Sequence, residues 1–461
     1  MLLSAQLREN LKPGSLIVKC EPFAYILSQK LSDVVCDSCL RRSTSALLKC
    51  ASCKHVRYCD KRCQRNGWTD HKHECQYIAK IQPRVPPDTI RLIARIVIKL
   101  RNGGAKIQGQ LPDGQKRTFF DLEPHHKEIL EDKQKMAAFN EYFKVLQHFM
   151  PQDLPSKDDI WEIFCRTSIN SFNLMDDDYT SQGIGLYLEA SIFDHSCEPN
   201  AFAVFQGKTL EVRYIGPNEL PGPVNCSQDI RISYCSPLKD TPTRQKILRE
   251  SYYFTCHCSK CNRDPDTLDL YKNGSLKCAK CGKAVPIPKE IRPKNLKCRQ
   301  CHFEVTPEKL KDFSLSKQIL TKLSDSLVRE ERPLSKSGLA VIHSAEEVVH
   351  PYDLTLLVCL EKASLAELDH KDFRAALKTS LAQMKAYQFY YPSFHVNMGV
   401  VHMRIGKLAS HLGHIKFASQ HLEKAEEQLF ITHGSNHTLY QRDLVPLLRD
   451  AHQELRNFGA Q

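Results

Sequence analysis

Fourteen of the twenty cysteines, together with His71, stand at spacings that suit metal coordination. Cys36-x2-Cys39, Cys50-x2-Cys53, Cys59-x3-Cys63 and His71-x3-Cys75 offer eight donors in four pairs. Zinc takes four tetrahedral sulfur or nitrogen donors, so eight make two closed sites. Cys278-x2-Cys281 and Cys298-x2-Cys301 offer four more, a ribbon-like site whose spacing is a metal signal by itself. Cys256-x-Cys258-x2-Cys261 offers three, one short of a closed site. Of the other six, Cys197 stands alone in an Asp-His-Ser-Cys stretch, and Cys20, Cys165, Cys226, Cys235 and Cys359 are expected to be ordinary thiols.

Paired cysteines mean metal in a reducing compartment and disulfides in an oxidising one. Met1 to Cys20 carries Arg8, Glu9 and Lys12 and no continuous apolar core, which argues against a secretory signal. No apolar run approaches the ~18 residues that span a bilayer. The expectation is a nuclear or cytosolic chain without a membrane anchor. The formal charge of +12 invites nucleic acid as a partner. Metal loading weakens that reading, because four zinc ions and fifteen thiolates bring the total to about +5.

Short strands are expected at Ser15 to Val18 and Phe23 to Leu27, after a Lys12-Pro13-Gly14 turn. Ile90, Ile93, Ala94, Val97 and Leu100 recur at helical spacing. A second helical block is expected over Glu123 to Met150 and a third from near Lys157. Ala201 to Phe205 and Thr209 to Ile215 flank Gly207 as a hairpin, and Ile230 to Tyr234 reads as a further strand. Gly216 to Ser227 is a Pro/Gly-rich loop. From about Lys311 the chain reads as helical. Leu368-x4-Phe373 recurs there as Leu412-x4-Phe417, which suits stacked helix pairs of the tetratricopeptide kind.

The eight-donor segment resembles the MYND zinc finger along its whole length, with Tyr58, Gln64 and Trp68 where that family carries such residues. The resemblance implies an interleaved ligation: Cys36, Cys39, Cys59 and Cys63 on one ion, and Cys50, Cys53, His71 and Cys75 on the other. Asp194-His195-Ser196-Cys197-Glu198-Pro199-Asn200, then Ser233-Tyr234, then Tyr252-x-Phe254 and the three late cysteines resemble the C-terminal half of a SET methyltransferase domain. There the resemblance implies that Cys197 completes a post-SET zinc site with Cys256, Cys258 and Cys261.

A SET domain interrupted by a MYND finger and followed by helices is the pattern of the SET-and-MYND (SMYD) family. The chain resembles it over nearly its whole length. The implied fold is α+β, with a SET-type β fold, a post-SET zinc site and a tetratricopeptide-like C-terminal domain. The implied segments are residues 1–30 and 166–250 for SET and 36–75 for MYND. A helical insertion takes 80–165, the post-SET segment 251–263, the extra ribbon 264–304 and the helical domain 305–461.

The implied activity is methylation of protein lysines, in histones or other proteins, by a monomer that binds S-adenosylmethionine. MYND fingers imply protein partners, among them proline-rich peptides. Matching residue by residue, Glu123, His125, Asn170, Ser191, Asp194, His195, Tyr252 and Phe254 fall at cofactor positions, the first two as a helical pair. Tyr234 falls at the catalytic tyrosine. Aromatic walls would favour the neutral amine that methyl transfer requires, against lysine's usual pKa of ~10.4.

Four departures stand against the pattern. No Gly-x-Gly-Leu strand precedes Lys12-Pro13-Gly14, so the expectation is a later start or a cofactor site short of one wall. Asp194 stands where Asn is usual. Leu220 to Ser227 reads as an insertion. The extra ribbon lies outside the common family pattern and is expected to be a structural clip. These departures keep two alternatives in view: a zinc-built interaction scaffold with little turnover, and a nucleic-acid-binding zinc protein.

Overall fold

The first strands find partners far along the chain. The computed structural model describes residues 11–216, 229–262, 268–287, 296–330 and 334–459. In it the expected N-terminal strands form as Leu16–Cys20 and Ala24–Leu27. Leu16–Cys20 lies antiparallel to Thr209–Tyr214, which pairs on its other side with Ala201–Gln206. Ala24–Leu27 joins a second antiparallel sheet with Ser181–Leu186 and Ser171–Met175. The expected hairpin turns at Gly207, whose φ of +62° is a left-handed value. The strand expected over Ile230 to Tyr234 is shorter. Only Arg231–Ile232 pairs, in parallel, with Asp194–His195.

The chain divides into two compact units, Met1–Ile232 with Arg249–Phe254, and Ser233–Leu248 with Thr255–Gln461. The stretch 166–250 is therefore split between them. The Pro/Gly segment Leu220 to Ser227, with Cys226, lies outside the described residues.

In the first unit the helix Asp88–Arg101 carries the expected apolar stripe. Its Ile90, Ile93, Ala94 and Val97 share one core with Phe23 and Ile26, and with Cys53, Val56 and Tyr58 of the cysteine-rich segment. That segment thus adds its few apolar residues to a larger core. Its last ligands sit on a helix, Lys61–Ile81, for which the sequence analysis gives no expectation.

The expected block from Glu123 to Met150 is broken. Glu123 lies outside any helix, His125 has φ +49°, and the helices are His126–Glu131 and Lys133–Phe149. Pro124 explains the break, since the residue before proline is pushed out of the helical region. Glu123 and His125 are therefore not a helical pair.

The second unit is mainly helical. The ribbon hairpin Ser275–Lys277/Ala284–Pro286 packs Leu276 and Val285 against Phe313, Leu320, Ile342 and Leu360. Two helix pairs follow, Leu354–Asp369 with Phe373–Tyr390 and Val396–His411 with Ile415–Thr432. Each copy of the repeated Leu-x4-Phe pattern straddles a turn between paired helices. The turns are made by left-handed Lys371 and Gly413, so the structural equivalence is two residues out of step with the Phe373/Phe417 match. Among the described residues no helix is long and apolar enough to cross a membrane.

Candidate functional site

Four of the five Cys-x2-Cys pairs close in the same way. The residue after the second cysteine is left-handed: Leu40 (φ +54°), Lys54 (+56°), Gly282 (+68°) and His302 (+56°). Its N–H donates to the carbonyl of the first cysteine, at 3.0, 3.0, 2.9 and 2.9 Å. This turn points two sulfurs the same way. Three of the four residues have a side chain, so a ligand set must hold them in a conformation that glycine alone adopts freely.

The donors then assemble by fours. Cys36, Cys39, Cys59 and Cys63 lie within 4.8 Å of one another, and so do Cys50, Cys53, His71 and Cys75. This is the interleaved arrangement. Asp60 caps the Lys61–Ile81 helix by accepting from the Cys63 N–H at 2.7 Å, which orients that ligand. His71 and Cys75 follow on one face, four residues apart. His71 Nε2 is 3.4 Å from Cys53 Sγ, and Nδ1 is 3.0 Å from Glu74 Oε1. A carboxylate on the far nitrogen of a ligand histidine fixes ring and tautomer.

The ribbon cysteines, Cys278, Cys281, Cys298 and Cys301, close equally tightly. All three donor sets, sulfur with at most one imidazole, fit zinc. In the second unit Cys256, Cys258 and Cys261 also cluster. Gln245 clamps Cys256 by two backbone bonds, of 2.7 and 3.0 Å, and buried Arg244 lies 3.9 Å from Cys261 Sγ. Cys197 is a buried residue of the first unit, 3.2 Å from His195 Nε2. Cys20, Cys165 and Cys359 are buried and Cys235 is half-buried.

All the residues expected at cofactor positions fall in the first unit, and most of them meet. Asn170 Nδ2 donates to the Glu123 carbonyl at 2.8 Å and to the Arg166 carbonyl at 2.8 Å. Its Oδ1 has no partner among the described residues, an acceptor open to an ammonium group. The His125 N–H reaches Glu123 Oε1 at 3.4 Å. The His125 ring faces Tyr253 at 5.7 Å, and the Phe254 ring faces His195 at 5.9 Å. Residues from four distant stretches thus form one connected group.

Asp194, exposed, is paired with Arg231 Nη1 at 2.5 Å, so its charge is balanced locally. Sequence reasoning missed Arg231, Tyr253 and the Glu74 partners, because each acts through a residue distant in sequence. Ser191 lies in the Ala190–Ile192 turn and donates to the Leu188 carbonyl at 3.1 Å. Tyr252 and Tyr234 are half-buried. Tyr234, in the second unit, follows Arg231–Ile232 by two residues.

Residues 36–75 match the MYND finger family. The chain is 29% identical over 452 residues to the human histone-lysine N-methyltransferase SMYD3, covering 97% of this chain and 94% of that one. It is 29% identical over 461 residues to the histone-lysine N-methyltransferase ASHR1 of Arabidopsis thaliana, covering 96% and 92%. It is 25% identical over 435 residues to the N-lysine methyltransferase SMYD2-A of Danio rerio, covering 93% and 91%. Over nearly its whole length the chain is similar to these lysine methyltransferases, and over residues 36–75 to the MYND finger. The finger lies between the strand Ala24–Leu27 and its partner Ser181–Leu186.

Proposed function

We propose that this protein is an S-adenosylmethionine-dependent protein-lysine methyltransferase. The observation that carries the reading is the connected group of Asn170, Glu123, His125, Phe254 and His195, in a chain alike along nearly its whole length to named lysine methyltransferases. On this reading the two three-stranded sheets are the SET core. Three zinc ions serve MYND and post-SET sites, the latter with Cys197 as fourth ligand, and a fourth zinc serves the ribbon.

S-adenosylmethionine, when bound, supplies a methyl group on a sulfonium. Asn170 Oδ1 would accept from its ammonium, and His195 and Ser191 would border it. Asp194, neutralised by Arg231, takes the place of the usual asparagine without opposing the cofactor carboxylate. Glu123 and His125 border the adenosine. Tyr252 and Phe254 form apolar wall, which disfavours an ammonium and so favours the neutral lysine that can attack. The Tyr234 hydroxyl orients the amine in line with the methyl group.

The protein acts as a monomer in the nucleus or cytosol on histones or other proteins. Its MYND surface takes partner peptides, including proline-rich ones.

Calorimetric titration of zinc-loaded protein with S-adenosylmethionine, beside Tyr234→Phe, tests the reading. Micromolar binding by both is expected, with methyl transfer to histone or other protein substrates slowed in Tyr234→Phe by at least about tenfold for a lost positioning group. A folded, zinc-loaded protein that binds no cofactor would overturn the proposal and favour the scaffold alternative.

A further inference from the structure

Tyr253 has no role in the reading above, although it separates Tyr252 from Phe254. It is the residue that ends the helix Thr241–Tyr252, where its N–H donates to the Arg249 carbonyl at 3.2 Å and its φ is +61°. Helices that end this way ordinarily place glycine at the left-handed position. A tyrosine there needs a reason, and its ring supplies one. The hydroxyl donates to Asp132 Oδ2 at 3.1 Å. The Lys135 ammonium sits 4.6 Å from the ring centroid, and the His125 ring packs at 5.7 Å.

Asp132 has a second task. Its Oδ1 accepts from the Gln134 and Lys135 N–H groups at 2.9 and 3.0 Å and caps the helix Lys133–Phe149. Lys135 Nζ also donates to the Ser251 carbonyl at 3.2 Å. One carboxylate therefore joins a helix start to the segment that carries Phe254. The protonation states agree: burial and the Asp132 carboxylate keep the Tyr253 phenol raised and neutral, and the bonds Asp132 accepts from Lys135 and Tyr253 hold its carboxyl low.

We infer that Tyr253 is a positioning residue, and that its bond to Asp132 sets the direction in which the chain leaves the helix and so aims Phe254 at His195. This rests on the methyltransferase reading for the consequence, though not for the clamp itself. Neither Tyr253 nor Asp132 touches the reacting atoms in this account.

The test uses the full zinc-loaded chain with Tyr253→Phe, Asp132→Asn and the double variant. Asparagine caps a helix as well as aspartate, so Asp132→Asn removes the phenol's charged acceptor and spares the cap. Tyr253→Phe keeps the ring and removes the donor. Amide hydrogen exchange at Tyr253 and Phe254 reads the clamp without any cofactor, and each single variant is expected to speed it by about tenfold, the scale of one hydrogen bond to a charged group.

Steady-state kinetics read the positioning. KM for S-adenosylmethionine is expected to rise about tenfold on the same scale, with a shifted ratio of mono-, di- and trimethylated product and unchanged zinc content. The double variant is expected to match the worse single one, because both remove the same bond. A merely structural tyrosine would lower thermal stability and leave KM and product ratio alone. Wild-type exchange, KM and product ratio in the single variants, or additive effects in the double one, overturn the inference and leave the methyltransferase reading intact. Coupled exchange in a wild-type protein that binds no cofactor sinks that reading while keeping the clamp.

Discussion

Arg95 Nη2 lies 2.6 Å from Glu74 Oε1, with both side chains buried. The same carboxylate oxygen meets Arg91 at 3.0 Å and the ligand histidine His71 at 3.0 Å. Arg95 extends the chain of contacts to Asp37 at 3.3 Å, beside the ligand Cys36, and to the Tyr25 carbonyl at 2.8 Å. One guanidinium thus touches both zinc-binding segments and a strand of the second sheet. Burial alone would raise the Glu74 carboxyl, but Arg91 and Arg95 hold it well below the usual range.

Glu74→Gln removes the charge that balances two buried guanidinium groups. Breaking a buried ion network from one side costs about 3–5 kcal/mol, and loss of a partner behind a ligand histidine weakens metal binding by about 10–100-fold. The expected outcome is a lower thermal midpoint and faster loss of zinc to a chromogenic chelator. Unchanged zinc release would show that His71 does not depend on Glu74.

Gly207 meets two constraints at once. Its φ is +62°, and an added Cβ would stand 2.7 Å from the Cys39 carbonyl. Gly207→Ala therefore strains the hairpin and pushes on the first zinc loop. A loss of about 1–3 kcal/mol is expected from the backbone alone, seen in chemical denaturation, with earlier zinc release from the finger.

The ribbon cysteines support the core that holds Leu276, Val285 and Val305 against the helices of the second unit. Cys281→Ser is expected to lower zinc by one ion per chain in atomic emission. It is also expected to raise hydrogen exchange in Pro307–Glu330 and Leu354–Asp369 while leaving S-adenosylmethionine affinity unchanged. Full zinc content in the variant would show that these thiols hold no metal.

His402 and His421 share a hydrogen bond between their Nδ1 atoms at 2.9 Å. Burial first lowers both to about 4, followed by the charges of His421 and Lys424 for His402 and of Lys424 for His421. Unfolded histidine titrates near ~6.5, so the unfolded chain takes up protons first as pH falls. Their contribution is whole above ~6.5 and is lost as pH falls from there toward about 4. The thermal midpoint of the second unit is expected to fall between pH 7 and 5. The slope should be shallower in a His402→Leu/His421→Met protein, and equal slopes would assign the acid lability elsewhere.

The metal ligands were legible because cysteine pairs are scarce and chemically committed. The hairpin at Gly207 and the Asp88–Arg101 stripe were legible from alternation and helical spacing. The Lys61–Ile81 helix was hidden, because its buried positions carry ligands and Glu74 in place of an apolar stripe. The break at Pro124 was available in the sequence and was overlooked. The left-handed turns after Cys39, Cys53 and Cys301 gave no glycine to read. Arg231 beside Asp194, and Asp132 beside Tyr253, are pairings that only the tertiary fold creates.

The order of the strands has a consequence for synthesis. Leu16 waits for Arg213, and Tyr25 waits for Gly185, before either strand has a neighbour. During translation these two strands emerge well before the partners they pair with, and unpaired edges invite association with other nascent chains. The finger between them needs only its own ligands to begin closing. Zinc can therefore begin to order the finger before either flanking strand is paired.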